Sequence, residues 1–131
     1  MPDAAPNRFV IQHHTGHGPE HWDLMLEDGD ALATWQLDRP PTPDDTEPIR
    51  TVQIANHRKA YLTYEGPVSR NRGHVTIHDA GTYVTLDRTD EAWTFDLTGT
   101  RIKDIFVLQR CPIDPDQPER WELQRTSNAT H

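Results

Sequence analysis

The sequence predicts an all-β protein, a small antiparallel barrel of about eight strands with short connecting loops. Three observations predict this class. Short segments with strand-like alternation recur along the chain, turn residues separate them at regular spacing, and no convincing amphipathic helical pattern exceeds two turns. Closing the sheet also removes the exposed edges that so small a protein would otherwise have to protect. With 131 residues, we expect a single domain, residues 1–131, whose core spans about 8–125.

The first half of the chain predicts a hairpin followed by a loop and a further strand. The turn residues Asp28-Gly29-Asp30 separate two alternating segments and predict a hairpin between them. The segment Arg39–Pro48 predicts a loop, because proline lacks the backbone donor that a sheet requires. The strands predicted here are Arg8–His13, His21–Glu27, Ala31–Leu37 and Arg50–Ala55.

The second half of the chain continues the same pattern. Turns are predicted at Asp79–Gly81 and Thr98–Gly99, and an acidic, proline-rich loop at Pro112–Pro118. The strands predicted between these breaks are Gly73–His78, Thr82–Leu86, Ala92–Leu97, Ile102–Arg110 and Trp121–Arg125.

Composition restricts the class of partner. The net charge is −8, which argues against a protein that coats a nucleic-acid backbone, because such binding needs Lys and Arg to neutralise phosphates. Residues 50–72 are the exception, since they hold five basic residues and one acidic residue and so carry +4. A local basic site on an acidic body suits a small anionic group, although a solvated loop face would give the same pattern.

Two features predict the compartment. The single cysteine, Cys111, excludes an internal disulfide framework and fits a reducing environment. No apolar run approaches the roughly 20 residues that a membrane span needs, and the first residues lack the apolar region of a signal peptide. We therefore predict a cytoplasmic, monomeric protein that does not bind membranes.

A cluster of histidines near the N-terminus predicts a metal site. His21 and Asp23 share one face of their predicted strand, because alternate residues of a strand point the same way. His14 or His13, from the preceding strand, would complete a set of two histidines and one carboxylate with open positions for water or substrate. This donor set suits Mn²⁺, Zn²⁺ or Fe²⁺. The opposite, apolar face carries Trp22, Leu24 and Leu26.

A second polar constellation lies inside the basic stretch. His57 and Tyr61 offer a proton donor and a hydroxyl group beside cationic side chains, which is the chemistry that a bound phosphate requires. The same residues also fit an ordinary polar turn between two strands. The motif alone does not decide between the two interpretations.

Together these segments resemble the 3′-phosphoesterase module found at the N-terminus of bacterial DNA ligase D and as stand-alone proteins. The resemblance covers about Phe9 to Arg125, with the segments in the same order. The segments that carry it are Phe9–His14, His21–Glu27, Leu32–Trp35, Asn56-His57 with Tyr61, Tyr64–Gly66, Gly73–Val75 through Asp79–Tyr83, Trp93–Gly99, Ile102–Arg110 and Trp121–Leu123.

The resemblance implies a small β-barrel with Mn²⁺-dependent activity on DNA ends. Members of the family remove a 3′-phosphate, or a 3′-terminal ribonucleoside followed by its phosphate, and leave a 3′-hydroxyl that a polymerase or ligase can use. The family's metal ligands correspond to His14, His21 and Asp23, and its phosphate contacts to His57 and Tyr61. The implied partners are nucleic-acid 3′ ends and, in trans, ligase or polymerase repair proteins.

The chain departs from the family pattern at one important position. Met25 stands where the family has an arginine that holds the scissile phosphate, and a thioether cannot replace a guanidinium group. We expect Arg50, Arg58 or Arg72 to supply the missing cation, with Arg58 as a substrate contact and Arg50 or Arg72 as catalytic groups. Without a replacement, the reaction would slow by about a hundredfold. We expect the chain to remove a 3′-phosphate in preference to a 3′-terminal ribonucleoside.

Two alternatives remain open at this stage. The domain could be a metal-binding module that recognises nucleic-acid ends or a partner without catalysis, since Met25 replaces the arginine. It could also be a cupin-like non-haem iron oxygenase, another small barrel with histidine and carboxylate ligands, although the glycine that follows in the cupin motif is absent after Glu27.

Overall fold

The computed structural model describes residues 7–111 and 119–126, and these residues form an all-β structure. A single turn of 3-10 helix, Lys59–Leu62, follows the fourth strand. No helix within the described ranges is long and apolar enough to cross a membrane. The predicted loop at Pro112–Pro118 lies outside the described residues. The strands are β1 (Asn7–Thr15), β2 (His21–Asp28), β3 (Ala31–Leu37), β4 (Ile49–Arg58), β5 (Gly66–Pro67), β6 (His74–Arg88), β7 (Ala92–Gly99), β8 (Lys103–Arg110) and β9 (Arg120–Arg125).

Eight of these strands close into an antiparallel barrel. Their order around the barrel is β1-β2-β3-β4-β9-β8-β7-β6, and β6 pairs back with β1. The two-residue strand β5 extends the sheet beside the start of β6. Every pairing is antiparallel, and β9 is inserted between β4 and β8. The closed ring confirms the predicted all-β barrel of about eight strands.

The predicted turn at Asp79–Gly81 is wrong, because β6 continues through it as one strand from His74 to Arg88. The register against β1 shifts there, which leaves one extra residue in β6. The Asp79 carboxylate instead accepts hydrogen bonds from the amides of residues 100–102, at 2.8 to 3.2 Å, and so caps the β7–β8 turn. A Cβ on Gly81 would lie 2.0 Å from the Thr98 carbonyl oxygen, so glycine is required by close strand packing.

The main core fills the barrel. Leu24 and Leu26 of β2 point into it and Trp22 packs against it, as the alternation of this strand predicts. Antiparallel sheets with one buried face show this alternation because successive side chains point to opposite faces. The least exposed aromatic side chains of this core are Phe9, Trp35, Tyr83, Phe95 and Phe106.

A smaller apolar cluster lies on the outer face of the barrel. Val10, Met25 and Leu32 project outward from β1, β2 and β3, and Leu62 of the 3-10 turn covers them. Gln12 fixes this cover, since its amide nitrogen donates to the carbonyl oxygens of Tyr61 and Tyr64. The cover holds the segment after β4 against the outer surface of β1 and β2.

Candidate functional site

The register of β1 against β2 brings the outward-facing histidines and aspartate together. His14 lies opposite His21, and Gln12 lies opposite Asp23. Because alternate residues of a strand share a face, all four side chains lie on the outer face, away from the main core. The β1–β2 connection contains Gly16 and Gly18 at positive φ, which allows the chain to turn between the two strands.

Three potential ligand atoms converge at this point. The His21 Nε2 atom is 3.3 Å from Asp23 Oδ1, and the His14 Nδ1 atom is 3.9 Å from Asp23 Oδ2. One ligand atom from each residue lies within 4.8 Å of the other two. The structure therefore brings together the three residues proposed as metal ligands from the sequence.

Backbone carbonyl groups orient both imidazole rings. His14 Nε2 lies 2.7 Å from the Arg72 carbonyl oxygen, and His21 Nδ1 lies 3.2 Å from the Pro19 carbonyl oxygen. Each carbonyl can only accept, so the ring nitrogen facing it carries the proton. When the ring is neutral, its other nitrogen directs a lone pair toward Asp23. Metal-binding histidines are commonly held by a hydrogen bond of this kind from the second ring nitrogen.

The donor set fits a divalent cation. His21 Nε2 and Asp23 Oδ1 are buried and have no hydrogen-bond partner among the described residues, although they lie close together. The Asp23 carboxylate raises the pKa of the His21 imidazole above its ordinary value, against an opposing effect of burial. Two imidazoles and a carboxylate with unsatisfied lone pairs suit Mn²⁺, Fe²⁺ or Zn²⁺ and leave coordination positions open.

These residues line a cavity of about 360 Å³, which we call the His–Asp cavity. The size is within the range of small-molecule sites. Residues of β4 and of the segment that follows it also line this cavity. Other polar residues in the lining are Gln12, His17, Gln36, Asn56, His57, Tyr61 and Arg72.

A β-bulge in β4 positions His57. Thr34 pairs with Ile54 and Leu32 pairs with His57, so β4 contains one extra residue over this interval. The extra residue places His57 on the same outer face as Ile54, where an uninterrupted strand would turn it inward. His57 Nδ1 lies 3.1 Å from the Ala55 carbonyl oxygen, and its ring meets that of Tyr61 edge to face, with centroids 5.3 Å apart.

The arginines proposed from the sequence occupy three different positions. Arg72 lines the His–Asp cavity, but its guanidinium group donates to the carbonyl and hydroxyl oxygens of Ser69, at 2.9 and 3.0 Å. Arg58 lines a neighbouring cavity. Arg50 lies opposite Glu122 of β9, roughly 20 Å along β4 from His57, and lines neither cavity. Met25 is fully buried in the outer apolar cluster and lines neither cavity.

Some residues of the site were not evident from the sequence. Gln12 is buried at 1% exposure and lines the cavity, and its position on the same strand face as His14 was the available signal. His17 is exposed and also lines the cavity. The Arg72 carbonyl that holds His14 had no sequence signal, because any residue can supply a carbonyl group.

Comparisons with known proteins identify the family of this chain. The family model described as "DNA Ligase D 3'-phosphoesterase domain" matches residues 11–110. The chain is also 25% identical, over 130 residues, to the "Multifunctional non-homologous end joining protein LigD" of Pseudomonas aeruginosa. That alignment covers 93% of this chain and 15% of the relative, so the chain spans a small part of the relative's length. Because the family model matches most of its residues, the chain belongs to the DNA ligase D 3′-phosphoesterase domain family.

Proposed function

We propose that this protein is a metal-dependent phosphoesterase that removes the 3′-phosphate from DNA ends during end processing in non-homologous end joining. The observation that carries the proposal is the meeting of His14, His21 and Asp23 with His57 and Tyr61 around one cavity. Membership of the family supports the reaction class. The name of the Pseudomonas relative supports the repair pathway.

His14, His21 and Asp23 would hold the metal ion, with Mn²⁺ as the first candidate and Zn²⁺ as the second. When bound, such an ion polarises a phosphoryl oxygen and lowers the pKa of a bound water. The protein contributes fixed ligand directions, since the Arg72 and Pro19 carbonyls determine which nitrogen of each ring is available. Burial of Asp23 keeps its carboxylate away from competing water.

His57 and Tyr61 would act on the ester from the other side of the cavity. The Ala55 carbonyl occupies His57 Nδ1, so Nε2 is the nitrogen available to substrate. A protonated His57 can donate from Nε2 to the leaving 3′-oxygen as water attacks phosphorus and the P–O3′ bond breaks. Tyr61 can donate its hydroxyl proton to a non-bridging oxygen. The products are a 3′-hydroxyl end and inorganic phosphate.

Arg72 is the arginine that we propose for the role of the missing family arginine. Arg72 is exposed and lines the His–Asp cavity, whereas Arg50 lines neither this cavity nor the neighbouring one. Its guanidinium would have to exchange the two Ser69 acceptors for phosphate oxygens. A phosphate is the stronger acceptor because the hydrogen bond is then between charged groups. This exchange is expected to suffice for 3′-phosphate removal, and ribonucleoside removal is expected to be weaker or absent.

A module that binds 3′-phosphate ends without cleaving them is the second candidate. The burial of Met25 in an apolar cluster favours it, because no guanidinium is available from that strand position. Such a module should bind a 3′-phosphate oligonucleotide more tightly than its 3′-hydroxyl counterpart and release no phosphate.

The test is a time course on a 5′-labelled primer–template that ends in 3′-phosphate, with and without Mn²⁺. The proposal expects Mn²⁺-dependent conversion to the 3′-hydroxyl, with His21→Ala slower by at least about a hundredfold. His74→Ala is the matched control, because His74 is exposed and does not line the cavity. Retention of the oligonucleotide without conversion would contradict catalysis and support the binding module.

A further inference from the structure

A second cavity adjoins the His–Asp cavity and shares part of its wall. It also has a volume of about 360 Å³, and its lining is mainly apolar. Tyr61 and Val68 line both cavities. We call the second one the tyrosine cavity, and its other main lining residues are Arg58, Tyr64 and Pro67.

The two tyrosines of this cavity are held in place before any ligand binds. Their carbonyl oxygens both accept from the buried Gln12 amide nitrogen, at 3.1 Å for Tyr61 and 3.0 Å for Tyr64. The Tyr64 hydroxyl donates to the Pro67 carbonyl oxygen. The two rings meet edge to face with centroids 5.6 Å apart. A ligand that stacks on a fixed ring loses less free energy to side-chain ordering than one that stacks on a mobile ring.

The charge around the tyrosine cavity suits an anionic strand. Among its described lining residues none carries a carboxylate, and Arg58 is the exposed cation. The neighbouring charges are directed elsewhere, since Lys59 pairs with Glu27 at 3.1 Å and Glu65 accepts from the Ile77 amide. An aromatic wall beside an arginine is the combination that binds single-stranded nucleic acid through base stacking and phosphate contact.

We propose that the tyrosine cavity binds the terminal nucleoside of the strand whose 3′-phosphate occupies the His–Asp cavity. This inference rests on the proposed function. A 3′-phosphate is one ester bond from its sugar, so the nucleoside must lie in space that adjoins the phosphate, and Tyr61 borders both spaces. The terminal base stacks on Tyr64, and Arg58 contacts the phosphate on the 5′ side of that nucleoside. Stacking is tolerant of sequence, so any of the four bases is accepted.

Two 3′-phosphorylated oligonucleotides that differ only in the terminal nucleoside test this inference. One ends in deoxyadenosine and the other in an abasic tetrahydrofuran. For wild-type protein with Mn²⁺, KM is expected to be about tenfold higher for the abasic end, with a smaller change in kcat. Tyr64→Leu should abolish the difference, and Tyr64→Phe, which keeps the ring and loses the hydroxyl, should retain it. Equal KM values for the two ends, with phosphate still released, would overturn the inference and leave the proposed function intact.

A second measurement does not depend on catalysis. An oligonucleotide that ends in 2-aminopurine 3′-phosphate reports stacking, because the fluorescence of this base is quenched when it stacks on a ring. Quenching is expected with wild-type protein and with Tyr64→Phe, and loss of quenching with Tyr64→Leu. Quenching without phosphate release would refute the proposed function and support the nucleoside site. Unquenched fluorescence of the oligonucleotide bound to wild-type protein would refute the nucleoside site, and this result needs no variant.

Discussion

Gln12 connects the stability of the barrel to the geometry of both cavities. Its side-chain amide is buried and donates to the carbonyl oxygens of Tyr61 and Tyr64, which places the segment after β4 against β1. Gln12→Met keeps the shape and length of the side chain and removes both donors. The variant therefore tests the hydrogen bonds rather than the packing.

The expected loss of stability follows from these contacts. Each hydrogen bond contributes about 1 kcal/mol, and a carbonyl left without a donor costs about a further 1–2 kcal/mol. The Tyr61 carbonyl keeps a second donor in the Tyr64 amide, at 3.4 Å, so the Tyr64 carbonyl is the group chiefly affected. We expect the free energy of unfolding to fall by about 3–4 kcal/mol.

Urea unfolding followed by tryptophan fluorescence measures this change. Gln109→Met is the matched control, because Gln109 is exposed on β8, remote from Gln12. Its expected effect is within about 0.5 kcal/mol. Gln12→Met should also weaken 3′-phosphate release, since Tyr61 belongs to the segment that Gln12 holds and its ring packs against that of His57. A loss below about 0.5 kcal/mol for Gln12→Met would refute the reasoning, because the two bonds would then add nothing to folding.

Three further predictions follow from other contacts. Asp79→Ala should lower the free energy of unfolding by about 3 kcal/mol in chemical denaturation, because the amides of residues 100–102 lose their shared acceptor. Burial raises the pKa of Tyr83 to about 12. The stability that the protonated Tyr83 hydroxyl contributes is therefore complete below pH 10 and is lost as pH rises toward 12. Tyr83→Phe should show a shallower loss of folding stability over that interval. Mn²⁺ at 100 times its Kd should stabilise the fold by about 2.7 kcal/mol and raise Tm by roughly 8–10 °C, in wild type and His74→Ala but not in His21→Ala.

The sequence predicted the parts of the structure that depend on local alternation. The period of two in β2 placed His21 and Asp23 on one face and Leu24 and Leu26 on the other, as observed. The recurrence of short strands without helices predicted the closed sheet. These features are set by which side chains avoid water, and that preference can be read residue by residue.

The remaining features depend on contacts between residues distant in the chain. Asp79 and Gly81 are residue types that are typical of a turn. In the structure, Gly81 allows β6 to pack closely against β7, and the Asp79 carboxylate caps the β7–β8 turn. The bulge that turns His57 outward arises because β4 has one more residue than β3 between two paired positions. Neither strand shows this difference when its sequence is read alone. The tyrosine cavity is lined by residues of the segment that Gln12 holds against β1, and this contact joins residues far apart in the chain.

The most direct test of the central claim is a calorimetric titration with Mn²⁺. The wild-type protein is expected to bind one equivalent, and the double variant of His21→Ala with Asp23→Ala is expected to bind none, because it retains only His14 of the three converging ligands. Binding by the double variant with only a modest loss of affinity would contradict the assignment of this cluster as the metal site.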